Sequence, residues 1–388
     1  MHKKKILIFV DWYLPGYKAG GPIKSISSMV EFLKNDFDFL IITTDTDFGE
    51  KAPYKSIKSD EWIKINDSIS VFYASNSFLK RKNLLNLIQS VKFDAVYLNS
   101  FFSFYFSLLP LQFFKKNNIQ VPVVLAPRGM LGRGALQLKS TKKKLFILIS
   151  KLVGLHNNIF WHATSDQEKN EILDVYGAKA KVTIVPNLQF NLNSTLFKSP
   201  EKKNQELKLF FLSRISEKKN LLFALNRLMS IKMTSDVIFD IYGPIEDEIY
   251  WNKCLSLINQ LKAKGVTVNY LGAIPNEKVA ESIAPYHFLF LPTLNENYGH
   301  VIVEAFLNAK PVIISDQTPW RNLEKSNAGW DIPLNNISKF DSVIEECIEM
   351  ENAKYIEMVN ATILYAKQHC NSENSVEATK NMFNDLMK

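Results

Sequence analysis

From His287 to Phe306 the chain reads HFLFLPTLNENYGHVIVEAF. The first six residues form an apolar run closing at Pro292, the pattern of a strand buried on both faces. From Val301 the apolar spacing, with Ala305 and Phe306, is that of a helix stopping near Ala309. Between them the polar loop TLNENYG turns strand into helix. A loop with a glycine that feeds a helix N-terminus offers free backbone N–H groups and the positive end of a dipole, a ready site for phosphate. Glu296 lies in the loop and Glu304 in the second turn of the helix. Carboxylates only accept hydrogen bonds, so beside an anion site their partners are hydroxyls, of a sugar or of a ribose.

The same alternation extends in both directions. KILIFV, FLIITT, DAVYLN and VPVVLA in the first half alternate with amphipathic stretches such as IKSISSMVEFLKN, and LKLFFLS, VIFDIYG, VTVNYLG, HFLFLP and PVIIS do so in the second. Strands alternating with helical patterns predict an α/β fold with parallel sheets. The polar stretch NLNSTLFKSPEKKNQE separates the two series and sets a boundary near residue 190. The predicted organisation is a Rossmann-like domain over 1–190, a second over 191–365, and a C-terminal helix over 366–388 packing back on the first. Two doubly wound domains of this kind are expected to face a central crevice, with their chemistry in loops that follow strands. No internal repeat or low-complexity tract is present.

With 388 residues, 46% hydrophobic and 22% charged, the chain has globular composition rather than that of a disordered one. A net charge of +8 makes acidic partners plausible, whether nucleotide phosphate, nucleic acid or an anionic membrane, without choosing among them. Cys254, Cys347 and Cys370 are odd in number and widely spaced, which fits neither a disulfide framework nor a zinc site and points to a reducing, cytoplasmic setting. After the N-terminal lysines only Ile6–Val10 is apolar, too short for a signal peptide and better read as a first strand. The aromatic run Phe101–Phe114 is interrupted by polar residues and falls short of the ~20 needed to span a bilayer.

In FLSRISEKKN, Arg214 and Lys219 fall in the loop after the second domain's first strand, where two cations could hold a diphosphate leaving group, Arg through its planar fork and Lys as a point charge. SRISEKKN, NENYGHVIVEAF and AKPVIISD, together with LPGYKAGGPIKSI near the start, resemble glycosyltransferase family 4, retaining sugar-nucleotide-dependent enzymes of the GT-B fold. The resemblance covers nearly the whole chain. It implies that Arg214 and Lys219 bind the nucleotide diphosphate, that Glu296 contacts the donor sugar and that Glu304 contacts the ribose. It also implies that Gly20 and Gly21 approach the diphosphate, and it places Asn297, Tyr298 and Gly299 on the donor side. Three positions depart from the family pattern. Asn220 and Ala309 stand where glycines are usual, and Asn tolerates the left-handed conformation better than Ala does. In APRGML, Arg128 stands where many relatives carry a histidine on the donor side, and a guanidinium cannot accept a proton.

Other residues carry less. His162 at a strand end is open to a structural or a site role, and Ser165 and Asp166 suit the cap of the next helix. Lysines beside apolar stretches, Lys115 and Lys116 after the aromatic run and Lys139, Lys142, Lys143 and Lys144 in LKSTKKKLFILISKLVGL, are what a peripheral contact with an anionic membrane uses. The expectation is therefore a cytoplasmic, metal-independent, retaining hexosyltransferase. Its partners are a UDP- or GDP-sugar and a glycan acceptor of surface polysaccharide or O-antigen type, carried on a lipid, and no nucleic acid. Its cofactor requirement is none. A sugar-nucleotide epimerase or a glycan phosphorylase of the same architecture is the nearest rival. A basic nucleic-acid-binding protein is the rival of another class, although the lysines here are dispersed rather than clustered with stacking aromatics.

Overall fold

The structure, a computed structural model, describes residues 3–132, 135–136, 140–188, 199–230, 236–370 and 373–388. They fall into two compact units, Met1–Phe190 with Ser372–Lys388, and Asn191–Asn371.

Among the described residues the first unit holds eight strands: β1 Lys4–Phe9, β2 Phe37–Thr44, β3 Trp62–Asn66, β4 Ile69–Ala74, β5 Ala95–Leu98, β6 Val123–Leu125, β7 Phe160–Ala163 and β8 Lys181–Ile184. Their order is β3-β4-β2-β1-β5-β6-β7-β8, parallel except for the β3–β4 pair. Ile6 of β1 sits opposite Phe39 on one side and Ala95 on the other. Because successive side chains alternate faces, Leu7 and Phe9 enter one core while Ile6 and Ile8 enter the other. The second of these cores is covered by helix Gly21–Leu33 and by the C-terminal helix Glu373–Leu386, whose Phe383 ring packs on Phe37 at 5.7 Å and on Tyr97 at 5.8 Å.

The second unit is a six-stranded, wholly parallel sheet of β9 Glu206–Leu212, β10 Asp236–Tyr242, β11 Thr267–Gly272, β12 Phe288–Leu291, β13 Val312–Ser315 and β14 Gly329–Ile332. The order β11-β10-β9-β12-β13-β14 is that of a dinucleotide-binding sheet, and it reverses between β9 and β12. Phe288–Leu291 is buried on both faces, as the continuous apolar run implied. This is the two-domain GT-B architecture with C-terminal helices.

The structure differs from the sequence reading at two places. The antiparallel β3, whose residues are half-buried or exposed, and the four-residue β14 do not stand out by pattern. Helix Asn352–His369 runs without a break past residue 366, so the chain leaves the second unit between Asn371 and Ser372 rather than at residue 366. The aromatic run, in agreement with its short, interrupted pattern, is core: it folds as a π-helical turn, Phe104–Leu108, continuing into helix Leu109–Lys116, with Phe106, Phe113 and Phe114 buried.

Candidate functional site

In the second unit the sheet order reverses between β9 and β12, and the loops leaving those two strands are bonded to each other. Leu294 N–H donates to the Lys218 carbonyl at 2.8 Å, Thr293 Oγ1 donates to the same carbonyl at 3.0 Å, and Asn220 Nδ2 donates to the Pro292 carbonyl at 3.0 Å. Asn220 adopts the left-handed conformation, φ 60°, at the junction between the short 3-10 turn Glu217–Lys219 and helix Leu221–Leu228. That bend turns Lys219 toward the other loop, where its Nζ forms an ion pair with Glu296 Oε2. Both side chains are mostly buried, 12% and 14% exposed, so the pair is weakly screened. Burial pushes the Glu296 carboxyl up, but Lys219, Lys218 and, more weakly, His300 outweigh it and hold the group below the usual carboxylate range. Glu296 is therefore an anion at neutral pH and accepts hydrogen bonds only.

Arg214, earlier in the β9 loop, pairs through Nη1 with Glu246 Oε2 at 3.1 Å. Glu246 lies in the loop after β10, and the two loops run together because Ile215 N–H donates to the Pro244 carbonyl. The approach demands glycine at 243, where a Cβ would sit 1.9 Å from the Ser213 carbonyl oxygen. The sequence reading missed Glu246. Its signal was the glycine of IYGPIEDE, marking a second loop pressed against the first.

Helix His300–Leu307 starts at Gly299, which takes φ 79° and would bring a Cβ to 2.8 Å from Ile302 Cδ1 and 3.2 Å from Glu296 Cγ. Its helical N-terminus lies beside Glu296, with Tyr298 and Asn297 half-buried on the approach. The Tyr298 carbonyl accepts from Trp320 Nε1 at 2.6 Å, which ties the loop down. Glu304 stands half-buried one turn into this helix, on the same face as His300. Ala309 adopts the left-handed conformation expected of a glycine, φ 56°, and Lys310 N–H closes the helix on the Ala305 carbonyl.

The first unit, taken by itself, holds the remaining predicted residues. Gly20 caps helix Gly21–Leu33 with φ 69°, and Gly21 is its first residue. Arg128, also left-handed at φ 54°, is turned inward. Its Nε donates to Asn99 Oδ1 at 2.6 Å, its Nη2 to the Tyr97 hydroxyl at 2.9 Å, and its Nη1 to Asn187 Oδ1. Tyr97 in turn meets His162 Nδ1 at 2.7 Å, and His162 Nε2 faces the Val185 carbonyl at 2.8 Å. Burial first, and the Arg128 charge second, push His162 down to about 3, so the imidazole stays neutral. Burial raises Tyr97 to about 12. His162 thus supports Arg128 through Tyr97. Ser165 caps the following helix, accepting from Glu168 N–H at 3.2 Å. Asp11, directly after β1, escaped the sequence reading; it is held by Ser103 Oγ at 2.7 Å, and burial raises its carboxyl.

The lysines expected to face a membrane divide. Lys115 Nζ donates to the carbonyls of Val153 and, at 2.9 Å, Gly154, and Lys143 Nζ donates to the Ala135 carbonyl at 2.6 Å; both ammonium groups are committed to backbone carbonyls. Lys116, Lys142 and Lys144 are exposed, and Lys139 lies outside the described residues. No described helix is long and apolar enough to cross a membrane.

The model of the family Glycosyl transferases group 1 matches residues 193–369. The matched stretch lies within the second unit and includes Lys219 and Glu296. No curated protein sequence matches the chain. Among solved structures, HepE of Anabaena in complex with UDP and glucose is similar over 98% of this chain and 100% of its own, at a TM-score of 0.71 and 15% identity. Sucrose-phosphate synthase of Thermosynechococcus elongatus aligns over 99% of both chains with a TM-score of 0.74 and 14% identity. A glycosyltransferase from Rickettsia africae aligns over 100% of both with 0.65 and 14%. At such identities the likeness establishes the fold.

Proposed function

We propose that this chain is a retaining glycosyltransferase that moves a hexose from a UDP- or GDP-linked donor to a hydroxyl of a glycan acceptor in surface polysaccharide or O-antigen-type synthesis. The observation that carries this reading is the Lys219–Glu296 ion pair at the point where the sheet order reverses, with Arg214 on the same loop. The family match over residues 193–369 supports it, as do the UDP and glucose bound to HepE. Lys219 and Arg214 take the diphosphate, and the N-terminus of helix His300–Leu307 adds its dipole. Glu296, kept ionised, accepts from a hydroxyl of the transferred sugar, and Glu304 from the ribose. Fixed cations stabilise the negative charge that develops on the leaving diphosphate, a task a divalent metal performs elsewhere. The reaction therefore proceeds in the presence of a chelator.

The acceptor in this reading is carried on a lipid, and the enzyme works from the cytoplasm at the inner membrane surface. Lys116, Lys142 and Lys144 provide basic charge there, each contributing about 1 kcal/mol near an anionic leaflet.

The test is a thermal-shift panel of UDP-, GDP- and ADP-sugars. A donor at a hundred times its dissociation constant stabilises by ~2.7 kcal/mol. A shift with one nucleotide class, and chelator-resistant release of its diphosphate, supports the assignment. Absence of a shift with all three contradicts it.

A further inference from the structure

Helix Ser140–Leu152 buries one face in the first unit, through Ile147 and Ser150 and through Phe146 packed at 5.6 Å on Phe102. A surface helix ordinarily turns polar residues to solvent. Here the outward face is apolar. Leu145, Leu148, Ile149 and Leu152 are 58%, 55%, 49% and 77% exposed, and Val153 just beyond the helix is 56% exposed. At 3.6 residues per turn the four helical positions fall in an arc of about 100°, opposite Ile147 and Ser150. Lys144 and Lys151 flank this arc on one side and Lys142 on the other, all exposed, and residues 140–153 contain no acid. Among the described residues, 16 large apolar side chains are exposed, and five of them lie within these nine positions. That concentration sets the face apart from the singly scattered exposed apolar residues of an ordinary surface.

We propose that this face inserts into an anionic bilayer surface, with Leu145, Leu148, Ile149 and Leu152 among the acyl chains and Lys142, Lys144 and Lys151 at the headgroups. The inference rests on the membrane part of the functional reading and deepens it, replacing a purely electrostatic contact by a wedge of named apolar residues. Charge complementarity selects the occupant. Lysines on both margins of an apolar stripe suit a surface that is negative at the headgroups and apolar beneath them. A second copy docking two-fold through this stripe would set Lys144 and Lys151 near their own equivalents. Five side chains also fall well short of the ~20–30 residues a side of a stable dimer. At 13 residues the helix is too short to span, so it lies in the plane of the interface.

The experiment is flotation with phosphatidylcholine vesicles, with and without phosphatidylglycerol, at low and high salt. It uses wild type, an apolar-face variant (Leu145→Gln, Leu148→Gln, Ile149→Gln, Leu152→Gln) and a basic variant (Lys142→Gln, Lys144→Gln, Lys151→Gln). Wild type floats with the anionic vesicles and retains part of that binding at high salt. The apolar-face variant loses at least ~tenfold of its bound fraction at either salt, and the basic variant loses its binding chiefly at low salt. The replaced side chains are exposed, so melting temperatures stay at the wild-type value. In a Leu148→Trp variant the added indole emission moves to the blue when anionic vesicles are present, which needs no multiple substitution.

Flotation of the apolar-face variant equal to wild type overturns the wedge while leaving electrostatic membrane contact standing. Absence of wild-type flotation at low salt overturns both. A wild-type dimer that the apolar-face variant dissociates also overturns the proposal, in favour of a second copy. Donor binding, read in the thermal-shift panel, stays at wild-type strength in all these variants, so a failure of the glycosyltransferase reading shows there and not in the vesicles.

Discussion

Lys219 and Arg128 each follow a parallel strand, β9 and β6, and their surroundings are opposite. Lys219 meets a carboxylate, Glu296, and the charge of each offsets the other. Arg128 meets two side-chain amides and a phenol, all uncharged, with a histidine held neutral behind the phenol. A cation paired with an anion has a bond that another anion can replace: in the proposed reading a diphosphate would compete for Lys219 and free Glu296 for a sugar hydroxyl. A cation held by neutral acceptors is oriented while its charge is left without a counter-ion among those bonds. The second unit thus carries an exchangeable pair, and the first a fixed charge.

Breaking the exchangeable pair has the largest expected effect. Lys219→Ala lowers turnover by about 10²-fold, the scale of losing one preorganised donor to a developing anion. It also leaves Glu296 mostly buried without its partner, which costs roughly 3 kcal/mol in urea unfolding. Adding Glu296→Gln restores most of that stability and none of the turnover. Recovery of both would show that the pair is structural alone.

Removing the fixed charge should act differently. Arg128→Leu strands the Tyr97 hydroxyl, Asn99 and Asn187, and lowers stability by about 2 kcal/mol. The affinity of the second unit for UDP stays unchanged. An equal loss of UDP affinity in Arg128→Leu and Lys219→Ala would erase the contrast.

The pH dependence sharpens it further. His162 titrates at about 3 in the folded chain and at 6.5 when unfolded, so the unfolded state binds the extra proton first and stability falls as pH drops below 6.5. Between about pH 6.5 and pH 5 wild type should lose roughly 1–2 kcal/mol more than His162→Gln in chemical unfolding. Parallel curves for the two would mean that the imidazole is not held neutral. His156 and His287, lowered to about 4 by burial, add to the acid limb in both proteins.

The smallest effect tests the helix end behind Glu304. Ala309→Gly relieves a left-handed alanine at φ 56° and stabilises by about 1 kcal/mol in thermal unfolding. A loss of stability instead would mean that packing of the buried methyl outweighs the strain.

How much of this was legible in the sequence varied with the physical signal. HFLFLP and KILIFV announced buried strands because parallel strands covered on both faces are continuously apolar. The acids and cations of the second unit stood out because their loops are short and fixed by glycine and asparagine at left-handed positions. β3 was silent, since Ile63 is half-buried and Lys64, Ile65 and Asn66 are exposed. Arg128 was located, but its partners could not be: Tyr97, Asn99 and Asn187 are separated from it by 31, 29 and 59 positions and meet only in the folded unit. The outward stripe at Leu145–Leu152 was also hidden, because periodicity alone does not say which side of a helix faces the core.

The most direct test of the account is a calorimetric titration of UDP, with GDP in parallel, into wild type, Glu304→Gln and Glu296→Gln. If the loops after β9 and β12 hold the donor as described, one nucleotide binds wild type, Glu304→Gln weakens it about tenfold, the scale of ~1.4 kcal/mol, and Glu296→Gln leaves the affinity nearly intact while lowering turnover. Equal losses in the two variants, or no binding of either nucleotide to wild type, would contradict the assignment.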